Sequence, residues 1–203
     1  QRYQVESYRT DSQPTFNCVE VFPLTTPQLL SYLTSRGIDY KIAMEQCKEI
    51  HYQYNMNQYY AVAFENIQGG YEIRNPYFKG CVSPKSISVI MANDEMPCDS
   101  CCVFEGFVDY LSYLTLKKQI TDFTMNEKET DYIILNSVSQ INKALPMLEK
   151  YKQINCYLDN DQSGIAATDL IAGSFADRQV NNVSLRYNDY NDLNDFLMRK
   201  RKG

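Results

Sequence analysis

A chain of 203 residues is long enough for one large domain or two small ones, with a sizeable buried core. Hydrophobic residues make up 44% and charged residues 22%, ordinary values for a globular protein, and no apolar run reaches the roughly 18 residues of a membrane span. The formal charge of −5 excludes an all-over electrostatic grip on nucleic acid but leaves room for a local basic stripe beside an acidic site.

The opening QRYQVESYRTDSQ lacks the basic-then-apolar pattern of a signal peptide, so the chain reads as cytoplasmic. Its start at Gln1 raises the expectation of a fragment with a further segment upstream. Residues 1–24 have no sustained period and read as an arm or linker. In TTPQLLSYLTSRGI, Thr26 can cap a helix, Pro27 suits its first turn, Leu29, Leu30 and Leu33 share a face, and Gly37 can end it. A second helix is expected from Tyr40 to Lys48. The run EIHYQYNMNQYYAVAFENIQGGYEIRN then alternates large apolar with polar residues, broken at Asn55-Met56-Asn57 and Gln68-Gly69-Gly70, which predicts a small antiparallel meander. CVSPKSISVIM supplies another strand, placed with the meander in a subdomain spanning residues 25–97.

From residue 98 to 200 strands and helices alternate, which predicts a mainly parallel sheet. CCVF, DYIILN, INCYL and NNVSLRY read as strands. GFVDYLSYLTLKK reads as an amphipathic helix, QINKALPMLEKY as a helix bent or re-started at Pro146, GIAATDLIAGSFA as a helix capped by Ser163, and DLNDFLMRK as a closing helix. The seven cysteines are an odd number, so reduced thiols are expected. Cys98-x-x-Cys101, with Cys102 adjacent, has no second pair at ligand spacing, and His51 is the sole histidine; no zinc is expected within this chain.

In an open parallel sheet, ligands gather where the strands' carboxyl ends open into turns. Glu105 ends the first strand, Asp159 and Asp161 follow the third, and Asp192 and Asp195 follow the fourth, so all three acidic groups fall on one sheet edge. Crowded carboxylates repel, and a divalent ion relieves that; magnesium, or manganese, suits a site of a few carboxylates and substrate phosphates. A calcium loop starting at Asp159 fails, because its twelfth position is Leu170 rather than glutamate. A phosphatase with an aspartate nucleophile also uses a strand followed by Asp-x-Asp. There, however, that string opens the domain, whereas here two strands precede it.

Glu105-Gly106-x-x-Asp109 followed by Asp159-x-Asp161-x-x-Gly164, each at a strand end, resembles the TOPRIM domain shared by topoisomerases and bacterial primases. ILNSVSQINKAL resembles that family's intermediate strand and turn, and YNDYNDLNDFL its terminal acidic motif, with Asp192-x-x-Asp195 in place of the usual Asp-x-Asp. Upstream, LLSYLTSRGI, YYAVAF, GGYEIRNPYFKG and SPKSI are similar to the amino-terminal part of the primase catalytic core, closest to primase-like proteins of mobile and conjugative elements. The resemblance covers residues 25–199. It implies an α/β fold, a Rossmann-like TOPRIM sheet flanked by helices behind a smaller α+β subdomain, and a metal-dependent nucleotidyltransferase making short primers on single-stranded DNA from nucleoside triphosphates, with a helicase or relaxase as a further partner. In that family a zinc-binding domain commonly precedes the core.

On this resemblance Glu105, Asp159 and Asp161 are catalytic and metal-ligating, and Asp192 or Asp195 places a further ion. Gly106 and Gly164 permit tight turns, and Asp109 caps or orients. Arg74, Lys79 and Lys85, interleaved with Tyr71, Tyr77 and Phe78, suit a grip on single-stranded template. Asn136 and Ser137 stand where phosphate could be touched. Two other readings remain: a non-catalytic single-stranded nucleic-acid-binding module of a mobile element, and a metal-dependent phosphatase or nuclease.

Overall fold

Period-two alternation shapes the amino-terminal half. In this computed structural model, which describes residues 17–54, 56–93, 98–120 and 129–202, strands β1 (Asn17–Pro23), β2 (Lys48–Tyr54), β3 (Asn57–Glu65), β4 (Tyr71–Asn75) and β5 (Phe78–Val82) pair antiparallel in sequence order. The register sets Ile50 opposite Ala61 and Ala63 opposite Ile73, so one face gathers Ile50, Tyr52, Ala61, Ala63 and Ile73 into an apolar cluster. The other face carries Val62 and Phe64, and, on the next strands, Arg74 opposite Lys79 and Glu72 opposite Cys81. A one-residue slip would exchange the two sets, so this register fixes which face is charged.

The meander is as expected, but residues 17–23 are not an arm: CVEVF pairs along β2 as the sheet's edge strand. The remainder of that expected arm, residues 1–16, lies outside the described residues. Helices α1 (Pro27–Ser35) and α2 (Tyr40–Gln46) precede the meander, with Gly37 at φ +77° ending the first. Thr26 does not cap α1 with its side chain. Its hydroxyl donates to Glu49 Oε1 at 2.9 Å, while Glu49 Oε2 accepts from the Thr25 and Thr26 backbone N–H groups at 3.0 and 2.8 Å. Burial works against the Glu49 charge, but these hydrogen bonds hold its carboxyl below the usual range.

The second sheet runs β10-β9-β7-β8-β6, from β6 (Ser88–Ile90), β7 (Ser100–Phe104), β8 (Asp131–Ile134), β9 (Gln153–Tyr157) and β10 (Gln179–Asn182). All pairings are parallel except β6 with β8. Thus β6, read from sequence as part of the amino-terminal subdomain, belongs to the second sheet. Only the two asparagines of NNVSLRY are strand. Asn182 accepts from the Ser184 backbone and hydroxyl at 3.1 and 2.7 Å and turns residues 183–187 into a 3-10 helix.

Helix α3 (Phe107–Gln119) is buried nearly all round and is not amphipathic. It is pressed between the second sheet, the first sheet and α6 (Leu193–Leu197), which is shorter than the sequence suggested. Phe104, Tyr110, Tyr113, Tyr132 and Tyr157 form a connected aromatic cluster, with Phe104 stacked on Tyr157 at 5.2 Å between centroids. Each such pair contributes about 0.5–1.5 kcal/mol beyond its buried area. On the sheet's other face, α4 (Ile141–Leu148), which holds Pro146 internally, and α5 (Gln162–Ser174) cover Val103, Ile133, Ile154 and Cys156.

The two sheets are joined by Phe64 stacked on Phe107 at 5.2 Å and 7°. Ser88 Oγ on β6 adds a polar tie, donating to Glu65 O on β3 at 2.7 Å, while Asn136 Nδ2 donates to Ser86 O and Ser88 Oγ, each at 3.0 Å. No helix among the described residues is long and apolar enough to cross a membrane.

Candidate active site

Parallel pairing sets the site. Phe104 stands level with both Tyr157 and Ile134, so β7, β8 and β9 release Glu105, Asn136 and Asp159 along one edge. Gly106 caps α3 from an extended backbone; a Cβ there would lie 3.4 Å from Asp109 Oδ2 and 3.7 Å from Arg74 Nη2. Gly164 is more constrained, for a Cβ would stand 2.2 Å from the Asp159 carbonyl oxygen. The turn that presents Asp159 therefore closes only against a glycine.

Asp161, not Ser163, caps α5: its Oδ1 accepts from Gly164 N at 2.8 Å and from the Ser163 hydroxyl at 2.7 Å. Those two donors hold its carboxyl below the usual range. Asp192 caps α6, accepting from Asp195 N at 2.6 Å. Asn160, between the two aspartates, has its backbone N–H on Asn191 O at 2.7 Å, and its amide donates to the carbonyls of Ser184, Tyr187 and Tyr190. The loop bearing Asp159 and Asp161 is thus tied to the segment leading into Asp192.

A cavity of about 740 Å³ opens between this edge and the charged face of the first sheet. Glu105, Asp109, Asp159 and Asp192 line one side, with Arg74, Lys79 and Lys85 across from them. Of the expected residues, Asn136, Ser137 and Gly106 also reach the cavity; Asp161 stands beside it, and Asp195 does not reach it. Asp195 Oδ2 instead accepts from Asn191 Nδ2 at 3.1 Å. Asn136, at φ +60°, has its amide hydrogens engaged by Ser86 and Ser88, which leaves it no free donor for a phosphate. The Ser137 hydroxyl accepts from Ser139 N at 3.4 Å and pairs with Ser139 Oγ at 2.9 Å.

Three charged lining residues were not read as part of the site. Asp109, read as capping or orienting, is 8% exposed and faces the acids; Arg36 and Glu72, though within LLSYLTSRGI and GGYEIRNPYFKG, were given no role. Asp109 alone had a signal, in the string Glu105-Gly106-x-x-Asp109, which puts it in the first turn of α3 just past Glu105.

The electrostatics of the acid side are adverse in the absence of a cation. Burial, then Asp109, Glu105, Asp192 and Asp161 in turn, pushes the Asp159 carboxyl up to about 9. Burial, then Asp192, raises Asp109 to about 7 against the pull of Arg74. Burial and Asp161 raise Glu105 as well, and its Oε2 is buried with no hydrogen-bond partner. Such a set suits a divalent ion: hard oxygen donors, mutual repulsion, and an acceptor with nothing to accept from. Among the described residues no three carboxylates close into a ligand set. The thiols are disposed otherwise, Cys101 and Cys102 pointing to opposite faces of β7 and packing into separate cores.

On the basic side, Arg74 lies over the Phe107 ring at 5.7 Å, so the residue that joins the sheets also seats the guanidinium. Burial, then Arg74, lowers the Lys79 ammonium, while Glu105, Glu72 and Asp109 pull it back up.

Residues 102–197 match the family described as Toprim-like, and residues 18–83 match a Domain of unknown function (DUF8464). No curated protein matches the chain in sequence. Among solved structures, the primase fragment of the bacteriophage T7 primase-helicase protein is similar over 84% of this chain and 70% of its own, with a TM-score of 0.55 and 17% identity. The Aquifex aeolicus primase, as its zinc-binding and RNA polymerase domains, is similar over 88% of this chain and 54% of its own, with a TM-score of 0.53 and 14% identity. Both likenesses concern the fold. Residues 102–197 are thus similar to the Toprim-like family, and the chain shares the fold of these two primase structures.

Proposed function

We propose that this protein is a primase-like nucleotidyltransferase that synthesises short primers on single-stranded DNA from nucleoside triphosphates. The observation that carries the reading is the cavity's polarity: carboxylates at the carboxyl ends of parallel strands face a basic stripe across about 740 Å³, a volume suited to a nucleotide. Glu105, Asp159 and Asp161, with Asp192 beside them, would hold Mg2+ or Mn2+, which when bound stabilises charge on phosphate oxygens.

The chain's own residues do the rest. Arg74, Lys79 and Lys85 bind the anionic backbone or triphosphate, and Arg74 is oriented for this by Phe107. Glu105 is placed to manage the proton of the attacking hydroxyl, since burial and Asp161 raise its carboxyl toward the working pH. Asp109 holds the amino end of α6 through Asn194 N at 3.4 Å, keeping Asp192 at the cavity. Ser137 stands at the end of the second strand, within reach of a bound phosphate. The resemblance of the amino-terminal segments to proteins of mobile elements supports a cytoplasmic role in replication or transfer of such an element, beside a helicase or relaxase.

The test is synthesis. With single-stranded DNA, labelled nucleoside triphosphates and Mg2+ or Mn2+, the chain together with its native flanking sequence makes short template-dependent products. DNA binding with no product would favour a binding module, and phosphate release from small phosphomonoesters would favour a phosphatase.

A further inference from the structure

Glu72 is not used by that mechanism. It lies on β4 in the middle of the basic stripe, 6% exposed, and lines the cavity on the side away from Glu105 and Asp159. Burial raises its carboxyl while Lys85, Lys79 and Arg74 favour its charge, and Cys81 on the neighbouring strand donates its thiol hydrogen to Val82 O. Even so, Glu72 Oε1 is buried without a hydrogen-bond partner. A buried acceptor without a donor is unfavourable, and three nearby cations have not been recruited to satisfy it.

The charges sort what can lie there. Phosphate oxygens are drawn to Arg74 and Lys79, and a carboxylate repels them. The atoms that meet Glu72 must therefore belong to the uncharged part of a nucleotide and must offer hydrogen. We propose, resting on the nucleotide-binding reading above, that Glu72 is a specificity-determining residue: its carboxylate accepts a hydrogen bond from an uncharged donor of the bound nucleotide, a sugar hydroxyl or a base amine. A site built around such an acceptor rejects analogues that lack the donor, because the acceptor is then left buried and unpaired.

Equilibrium binding of nucleotides tests this. ATP is compared with 2′-deoxyATP, with 3′-deoxyATP and with purine riboside triphosphate, which lacks the 6-amino group; GTP is compared with inosine triphosphate, which lacks the 2-amino group. For the wild-type chain, removing the one donor that Glu72 reads weakens binding about tenfold or more. In Glu72→Gln that discrimination shrinks severalfold. Loss of a deoxy penalty identifies a sugar hydroxyl, and loss of a base-analogue penalty identifies an amine. Two results overturn the proposal alone: wild-type binding indifferent to every donor removed, or a variant that shifts affinity for all triphosphates alike, as a carboxylate that merely tethers the lysines would. A wild-type chain that binds no nucleotide overturns this inference and the nucleotidyltransferase reading together.

Discussion

Asn160 Nδ2 donates to the Tyr187 carbonyl at 3.0 Å, across 27 residues of chain, and so holds the Asp159–Asp161 loop against the segment that ends at Asp192. The same amide also reaches Ser184 O at 3.3 Å and Tyr190 O at 3.1 Å, so one side chain serves three backbone acceptors. Asn160→Ala leaves them without that donor and is expected to lower stability by about 1–3 kcal/mol. Chemical denaturation measures this, and a magnesium titration of nucleotide binding should show the variant needing more metal.

The raised carboxyls give stability a sign with pH. In the unfolded chain Asp159 loses its proton near 3.8, but in the fold it keeps it until about 9. The folded state therefore binds the extra proton, and Asp159's contribution to stability is fully present below the lower value and declines as pH rises toward the upper. Asp109, raised to about 7, acts in the same direction over a narrower range. Without divalent metal, Asp159→Asn should thus raise Tm at pH 8 by at least 2–4 °C, roughly the shift that ~1 kcal/mol gives a chain of this size. Added Mg2+ should stabilise the wild type more than the variant, and more at pH 8 than at pH 6.

Two glycines of α5 should respond oppositely to alanine. At Gly164 a Cβ would meet the Asp159 carbonyl oxygen at 2.2 Å, so Gly164→Ala must move backbone and is expected to cost about 1–3 kcal/mol and disturb Asp159. At Gly173 nothing lies within 4 Å, and Gly173→Ala should stabilise by about 0.5–1 kcal/mol through helix propensity. Thermal unfolding of the pair separates close approach from general intolerance of substitution.

Single-stranded DNA binding should depend on the basic stripe. Lys79→Ala and Arg74→Ala each remove a cavity-lining cation, so each should reduce the slope of log K against log salt by about 1. Arg74→Lys should recover only part of the loss, because the ammonium does not reproduce the guanidinium's seat on Phe107. Slopes unchanged in both alanine variants would place the DNA elsewhere.

What could be read from sequence follows from strand chemistry. Glu105 and Asp159 were legible as neighbours because strands alternating with helices imply a parallel sheet, whose carboxyl ends share one edge; Asp192 does not follow the fourth strand directly but caps α6 beyond the 3-10 helix at 183–187. Ser163 was read as the cap of α5 because cap geometry was undetermined: Asp161 takes that place. Glu72 was passed over because alternation gives two faces for the meander without saying which one meets a second sheet, and Arg36 because the end of α1 carries no mark of what it packs against. Asp109 was undervalued because α3 was read as amphipathic, whereas it is buried nearly all round. β6 was assigned to the wrong sheet because a three-residue strand carries no mark of its partner.

The most direct measurement is primer synthesis by wild type and Asp159→Asn side by side, with binding of single-stranded DNA recorded on the same preparations. The account predicts short template-dependent products from the wild type, none from the variant, and equal DNA binding by both. Full synthesis by Asp159→Asn, or DNA binding by the wild type with no product under Mg2+ or Mn2+, would contradict it.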